Sequence, residues 1–317
     1  MRKKNKKFIL KPKKSIQNVN LSRPRLIDGF ERDKKKYWLD KNENFDPILN
    51  SYLVKIFNKI NSKFLSSYPD SGFLHQKLSD HLKLKSNNII FSYGSDGVIK
   101  SVFETFLNIN DMVFHTNPTF AMYPIYSKIY AVKTIQINYK KNQITKKPYI
   151  DFNELLKLID KYRPKLFCLP NPDSPTGTVL SNLQIRKILN HCLHTNTLVL
   201  IDEAYYPYYP NTNIDLVTKF ENLIVARTFS KAWGLAGLRI GYAAAHSNII
   251  KYLNKSKPMY EVGNYQLHFI NLAINKYNQV LKSVERSNKS KLFFNEEMKK
   301  LNFTVLDTYA NFTHVNF

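Results

Sequence analysis

One lysine of this sequence stands in company that could do carbonyl chemistry. Lys231 follows two hydroxyl residues, Thr228 and Ser230, and precedes Gly234, Gly237 and Arg239 in the run Arg227-Thr-Phe-Ser-Lys-Ala-Trp-Gly-Leu-Ala-Gly-Leu-Arg-Ile-Gly-Tyr242. A protonated amine is no nucleophile, but burial or cationic neighbours depress its pKa and let it form a Schiff base with a carbonyl compound. Small hydroxyls and a planar guanidinium beside it suit a phosphate. A ligand that carries both an aldehyde and a phosphate would engage all four side chains. A Ser-Lys hydrolase dyad or ordinary turn glycines would explain parts of the run but not the whole. The spacing is not the G-x-G-x-x-G of a dinucleotide site.

The elements that must position these groups alternate between strand and helix. Asn88-Ile-Ile-Phe-Ser92 reads as a short buried strand, and Tyr93-Gly-Ser-Asp-Gly97 as the turn into a helix through Val98, Val102 and Phe106. Such a junction attracts anions, because free backbone N–H groups and the helix dipole both point at the ligand. Gly94, Ser95 and Asp96 lie on it, and Asp96 is expected to act mainly as the helix N-cap. Met112 to His115 is the next strand. A basic loop from Tyr139 to Pro148 and a helix from Phe152 to Tyr162 lead to the strand Lys165 to Leu169. Thr197-Leu-Val-Leu-Ile-Asp202 reads as a strand buried on both faces, which delivers Asp202 at its carboxyl end. Asn222 to Ala226 is a further buried strand.

Gly94, Phe120, Asn171, Asp202 and Lys231 therefore all follow strand-like runs, where ligands bind in open α/β sheets. The alternation across residues 88–255 argues for an α/β fold with a mainly parallel sheet and helices on both faces. Arg239 to Ala245 follows the lysine loop without a crossover helix, so this new strand, with Arg239 on it, is expected to be antiparallel. A long helix from about Gln266 to Leu301 and strands Phe303 to Leu306 and Asn311 to Phe317 complete the reading.

Composition narrows the class. The 317 residues, 43% of them hydrophobic, can bury a large core and suggest two domains. No apolar run approaches the roughly 18 residues of a membrane span, and no long apolar segment follows the basic opening. A soluble, cytoplasmic protein with no membrane partner is expected. The net charge of +24 comes mostly from Lys spread along the whole chain, which reads as compositional bias rather than a nucleic-acid patch. The concentrated part, Arg2 to Lys14, reads as a solvated arm; contact with anionic partners is its alternative. Cys168 and Cys192 read as reduced packing residues, and eight scattered His residues form no metal motif.

The Lys231 run resembles the lysine motif of the class I and II, fold-type-I aminotransferases, in wording closest to the histidinol-phosphate aminotransferase branch. Several further motifs occur in that family's order. They are Asn42-Glu-Asn44, Tyr68-Pro-Asp70, Gly94-Ser-Asp96, Pro118-Thr-Phe-Ala-Met-Tyr123, Asn171-Pro-Asp-Ser-Pro-Thr-Gly177 and Asp202-Glu-Ala-Tyr205. The resemblance implies pyridoxal 5'-phosphate held by Lys231, with Asp202 at its ring nitrogen and Tyr205 and Ser174 at its ring oxygen. It places Gly94, Ser95, Asp96, Thr228, Ser230 and Arg239 around the phosphate and Asn171 in the cofactor loop. Phe120 either stacks on the ring or fills space.

Tyr68 is implied to cross a homodimer interface to the partner's cofactor phosphate, its alternative being to pack beside Pro69. The implied reaction moves an amino group from an amine such as histidinol phosphate to a 2-oxo acid such as 2-oxoglutarate. Another phosphorylated or aromatic amine, a decarboxylation, or an inactive truncated form are the alternatives.

Departures from the family pattern are specific. Gly97 replaces a Glu, Ser174 replaces the Asn before Pro-Thr-Gly, and Met259 and Glu261 alter a segment on the substrate side. The sequence stops short of its relatives, and no Arg after Arg286 is available for the substrate carboxylate. The expected organisation is a basic arm over residues 1–44, a large cofactor domain over 45–262 and a smaller, incomplete α+β domain over 263–317.

Overall fold

The structure, a computed structural model, describes residues 12–17, 19, 35–36 and 39–316. Residues 2–11 of the basic arm lie outside this range, as do Tyr37 and Trp38. A seven-stranded sheet organises the rest. Its strands are β1 (Ile89–Ser92), β2 (Met112–Asn117), β3 (Lys133–Asn138), β6 (Leu166–Pro170), β7 (Leu198–Asp202), β8 (Leu223–Thr228) and β9 (Gly241–Ala245), in spatial order β1-β9-β8-β7-β6-β2-β3. Two small ribbons stand apart, β4 (Lys140–Lys141) with β5 (Pro148–Tyr149), and β10 (Thr304–Leu306) with β11 (His314–Asn316).

Only β9 runs against its neighbours, antiparallel to both β1 and β8, while β8, β7, β6, β2 and β3 pair in parallel. The reversal has a local cause. A chain that turns straight back from β8 without a crossover helix can only return antiparallel. The central strands read as apolar runs because both of their faces are covered. Along β6, Leu166 and Cys168 pack with helices Ser95–Phe106, Met122–Ile129 and Ser247–Ser256, whereas Phe167 and Leu169 face helices Phe152–Tyr162, Asn182–His194 and Asn264–Ala273. Capping sets the helix starts: Asp151 accepts from Glu154 N, and Ser181 with Gln184 forms a reciprocal capping box.

Three expectations change. The long helix from Gln266 is two helices, Asn264–Ala273 and Tyr277–Lys300, joined by the 3-10 turn Ile274–Lys276, whose tighter winding keeps Ile274 buried. The last strand is shorter than Asn311 to Phe317. Lys291 Nζ holds the carbonyls of Thr308 (2.5 Å) and Ala310 (2.9 Å), so this stretch is drawn toward the long helix instead of pairing with β10. The basic loop 139–148 contains the β4–β5 ribbon, fixed by Lys140 bridging Asp151 and Glu154. Among the described residues, no helix is long and apolar enough to cross a membrane.

Candidate active site

The carboxyl ends of β1, β2, β6, β7 and β8 converge on one cavity of about 200 Å³. Because β9 is antiparallel, its start lies at the same edge, which brings Arg239 to the cavity as well. Ser95, Asp96, Phe120, Ser174, Asp202, Tyr205, Thr228, Ser230, Lys231 and Arg239 all line it. These ten come from six chain segments between residues 95 and 239, and only the sheet brings them together.

At one part of the cavity sits a buried carboxylate. Asp202 is 4% exposed; its Oδ1 accepts from Ala204 N at 3.0 Å and its Oδ2 from the Tyr123 hydroxyl at 3.4 Å. Burial pushes its carboxyl up to about 7, with the charges of Asp96 and Glu203 adding to the rise and the two hydrogen bonds opposing it. Such a group is poised for a cationic partner.

Lys231 shows the opposite shift. Burial holds its amine below the usual lysine range, Arg239 pushes the same way, and Glu43 and Asp202 act against both. Its Nζ donates to the Lys41 carbonyl at 2.6 Å.

Elsewhere in the cavity the donors suit an oxyanion. Arg239 Nη1 donates to Ser230 Oγ (3.2 Å) and Ala236 O (3.1 Å), and Thr228 Oγ1 donates to Ser230 Oγ (3.0 Å). Gly94 precedes helix Ser95–Phe106 at φ 90°, where a Cβ would stand 3.1 Å from Arg239 Nη2 and 3.9 Å from Thr228 Oγ1. Only a glycine both adopts that backbone angle and leaves the space open. Gly241 permits the same closeness from the other side, since a Cβ there would lie 2.7 Å from the Gly94 carbonyl carbon.

Three expectations about these residues are corrected. Gly94, not Asp96, occupies the N-cap; Asp96 lies in the first turn, where its carboxylate accepts from the Tyr126 hydroxyl at 2.9 Å. Arg239 is not on a strand but in a left-handed turn at φ 48°, two residues before β9 begins. Asn171 does not line the cavity. Its amide is spent on the Leu180 backbone, donating at 3.2 Å and accepting at 2.8 Å, and it borders a separate cavity. Tyr68 lies outside this cavity, is 80% exposed and stacks on Tyr260 at 4.6 Å.

Sequence reasoning also passed over residues that matter. Tyr123 lies in the Pro118–Tyr123 motif, yet only its burial reveals that its hydroxyl faces Asp202. Asn42 donates to the Tyr205 hydroxyl at 3.0 Å, and Phe312 meets the Tyr205 ring edge-on at 5.5 Å.

Glu203, beside Asp202, accepts from Arg227 Nε (3.0 Å), Arg227 Nη2 (2.9 Å), Thr212 Oγ1 (2.8 Å) and Asn213 N (2.6 Å). The Arg227 guanidinium lies 3.6 Å from the Tyr206 ring centre. This ion pair ties β8 to the loop that carries Tyr205. Arg227→Ala should lower stability by about 3–5 kcal/mol, because it strands a buried carboxylate. Urea titration checks this, and a loss under about 1 kcal/mol would show that the pair is relieved by water.

Residues 35–317 match the family described as aminotransferase class I and II. A histidinol-phosphate aminotransferase of Thermoanaerobacter pseudethanolicus is 38% identical over 231 residues, covering 72% of this chain and 64% of that protein. The chain thus spans just under two thirds of that relative's length. One from Caldanaerobacter subterraneus is 32% identical over 305 residues, covering 92% of this chain and 83% of the relative. The crystal structure of histidinol-phosphate aminotransferase from Sinorhizobium meliloti in complex with pyridoxal-5'-phosphate superposes with a TM-score of 0.76 at 22% identity. It covers 87% of this chain and 74% of that one, and shows that the fold is shared.

Proposed function

Because this chain belongs to the class I and II aminotransferase family, we propose that it is a pyridoxal 5'-phosphate-dependent aminotransferase acting between histidinol phosphate and 2-oxoglutarate. One observation carries the reading. A single cavity holds a buried carboxylate, a lysine of lowered basicity and a cluster of hydroxyls with a guanidinium. The space left open by Gly94 beside Arg239 and Thr228 fits a phosphate, and Asp202 fits a protonated ring nitrogen.

When bound, the cofactor supplies an electron-withdrawing ring that takes up the charge left as the donor carbon loses its proton. The remaining work falls to side chains of this chain. Asp202 holds a proton at the ring nitrogen, since an opposite charge nearby favours the protonated base. Lys231 would hold the cofactor through its amine, and the same amine, when free, would carry the proton as general base. Its lowered basicity keeps more of the amine neutral at working pH. Tyr205 and Ser174 serve the ring oxygen, and Phe120 offers an apolar face to the ring. Arg239, Ser230, Thr228 and the first turn at Gly94, Ser95 and Asp96 grip the phosphate.

The choice of histidinol phosphate follows the names of the two relatives above. A homodimer belongs to the same proposal. Tyr68, beside Tyr260 and the 82% exposed Met259, is accessible to a second copy whose phosphate it would reach. So do a cytoplasmic location and the division into an arm (1–44), a large domain (45–262) and a small domain (263–317).

The test is spectroscopic. Adding pyridoxal 5'-phosphate to the purified protein should raise an absorbance band near the visible edge; glutamate should remove it and 2-oxoglutarate should restore it. No response to glutamate or to histidinol phosphate would overturn the proposal.

A further inference from the structure

The Tyr205 hydroxyl is approached by a group that no strand end supplies. Residues 41–44, which meet the cavity-lining Lys231 and Tyr205, are pinned at four points. Lys41 O accepts from Lys231 Nζ (2.6 Å), and Asn42 O accepts from Asn311 Nδ2 (3.0 Å). Asn44 Nδ2 donates to Ala232 O (2.9 Å) and Ser283 Oγ (3.0 Å). At the centre, Asn42 adopts φ 52°, a left-handed conformation that Asn tolerates better than most residues. That turn aims its Nδ2 at the Tyr205 oxygen, 3.0 Å away.

A phenol has one hydrogen to donate and lone pairs to accept with, while an amide nitrogen only donates. With Asn42 on the acceptor side, the Tyr205 hydrogen is left for the side that faces the cavity, which Tyr205 lines. We propose that Asn42 is a positioning residue for Tyr205, directing its hydroxyl hydrogen into the cavity toward the ring oxygen of the ligand. The consequence for catalysis rests on the function proposed above; the orientation of the phenol does not. Burial raises the Tyr205 phenol, and Asp202 and Asp173 add to the rise; Ser174 and Asn42 oppose it, as donors to a phenolate must. Lys231 Nζ lies 5.8 Å from the ring centre.

Asn42→Gly is the informative variant, because Gly keeps the left-handed backbone and removes only the donor. With tyrosine labelled at the carbon bearing the hydroxyl, the Tyr205 signal can be assigned by its absence in Tyr205→Phe and titrated in ligand-free protein. Loss of one net hydrogen bond to the phenolate should raise the Tyr205 midpoint by about half a unit to one unit. In the loaded enzyme, turnover should fall about three- to tenfold with KM for the amino donor little changed. Asn42→Asp, which matches the shape and can only accept, should raise the midpoint further, and it reads the same quantity if Asn42→Gly does not fold.

A Tyr205 midpoint in Asn42→Gly at or below that of the wild type would overturn the proposal, since the amide would then be accepting the phenol's proton or not meeting it. A raised midpoint in a protein that shows no cofactor absorbance would keep Asn42 in this role and remove the aminotransferase reading instead.

Discussion

On the proposed function, Lys231→Ala should reduce transamination by at least about 10⁴-fold while leaving the fold intact, because one amine would both hold the cofactor carbon and move the proton. Among the described residues, no other primary amine lines the cavity, whose cationic members are Lys231 and Arg239. A guanidinium stays protonated throughout the working range and cannot serve as base. The side chain is also weakly committed to structure. Among the described residues its hydrogen bond goes to Lys41 O, so its removal should shift the unfolding midpoint little.

Cofactor should still bind to Lys231→Ala through Asp202 and the Arg239 cluster, but reversibly and without the band near the visible edge. Equilibrium dialysis beside absorbance spectra checks both parts. Residual turnover within tenfold of wild type would move the base to another residue.

Asp202→Asn should cost about 10²–10³-fold in turnover, the usual loss on removing one group aimed at developing charge in a site closed to water. An amide of the same shape keeps the contact with Ala204 N but cannot hold a proton on a ring nitrogen. The same substitution has a signature in ligand-free protein. Burial raises the Asp202 carboxyl to about 7, against 3.8 for the unperturbed group.

Between those values the folded state keeps a proton that the unfolded state has lost, so stability falls as pH rises through this window. The contribution is fully present below the unfolded value and is gone above about pH 7. Its size is on the order of 4 kcal/mol at most, from the pKa difference at 1.36 kcal/mol per unit. His75, His81, His115 and His268, all held below the usual histidine range chiefly by burial, act in the opposite direction on acidification. They are common to both proteins. The difference in urea midpoint between wild type and Asp202→Asn, measured at pH 5 and pH 8, therefore isolates the aspartate. Equal differences at the two pH values would show that its carboxyl is not raised.

Much of the scaffold was legible from pattern alone, for reasons visible in single elements. The apolar run Leu198–Asp202 has no polar side to turn outward, which is why it could be read as an internal strand with Asp202 at its end. Helix Phe152–Tyr162 was bounded correctly because Asp151 caps it and Arg163 leaves it in a left-handed turn, both local events. Asn171 was misread for the opposite reason. Its neighbours in sequence suggest a cofactor loop, but where an amide points depends on Leu180, nine residues on, whose backbone claims both of its atoms. Asp96 likewise gave up its capping role because Gly94 had already turned the chain and Tyr126 from another helix took the carboxylate.

By itself, then, the order of residues determined the strand-and-helix alternation, the reversal at β9 and the placement of Asp202 and Lys231 at strand ends. Those follow from side-chain period, turn chemistry and functional groups that a residue carries wherever it is placed. Tertiary structure alone decided the rest: that Asn42 meets Tyr205 across 163 positions and Lys41 meets Lys231 across 190, and that Asp202 and Lys231 are shifted in opposite directions. Proximity and desolvation are properties of the packed chain, since both are set by whatever excludes water around a group, and most of that comes from distant sequence.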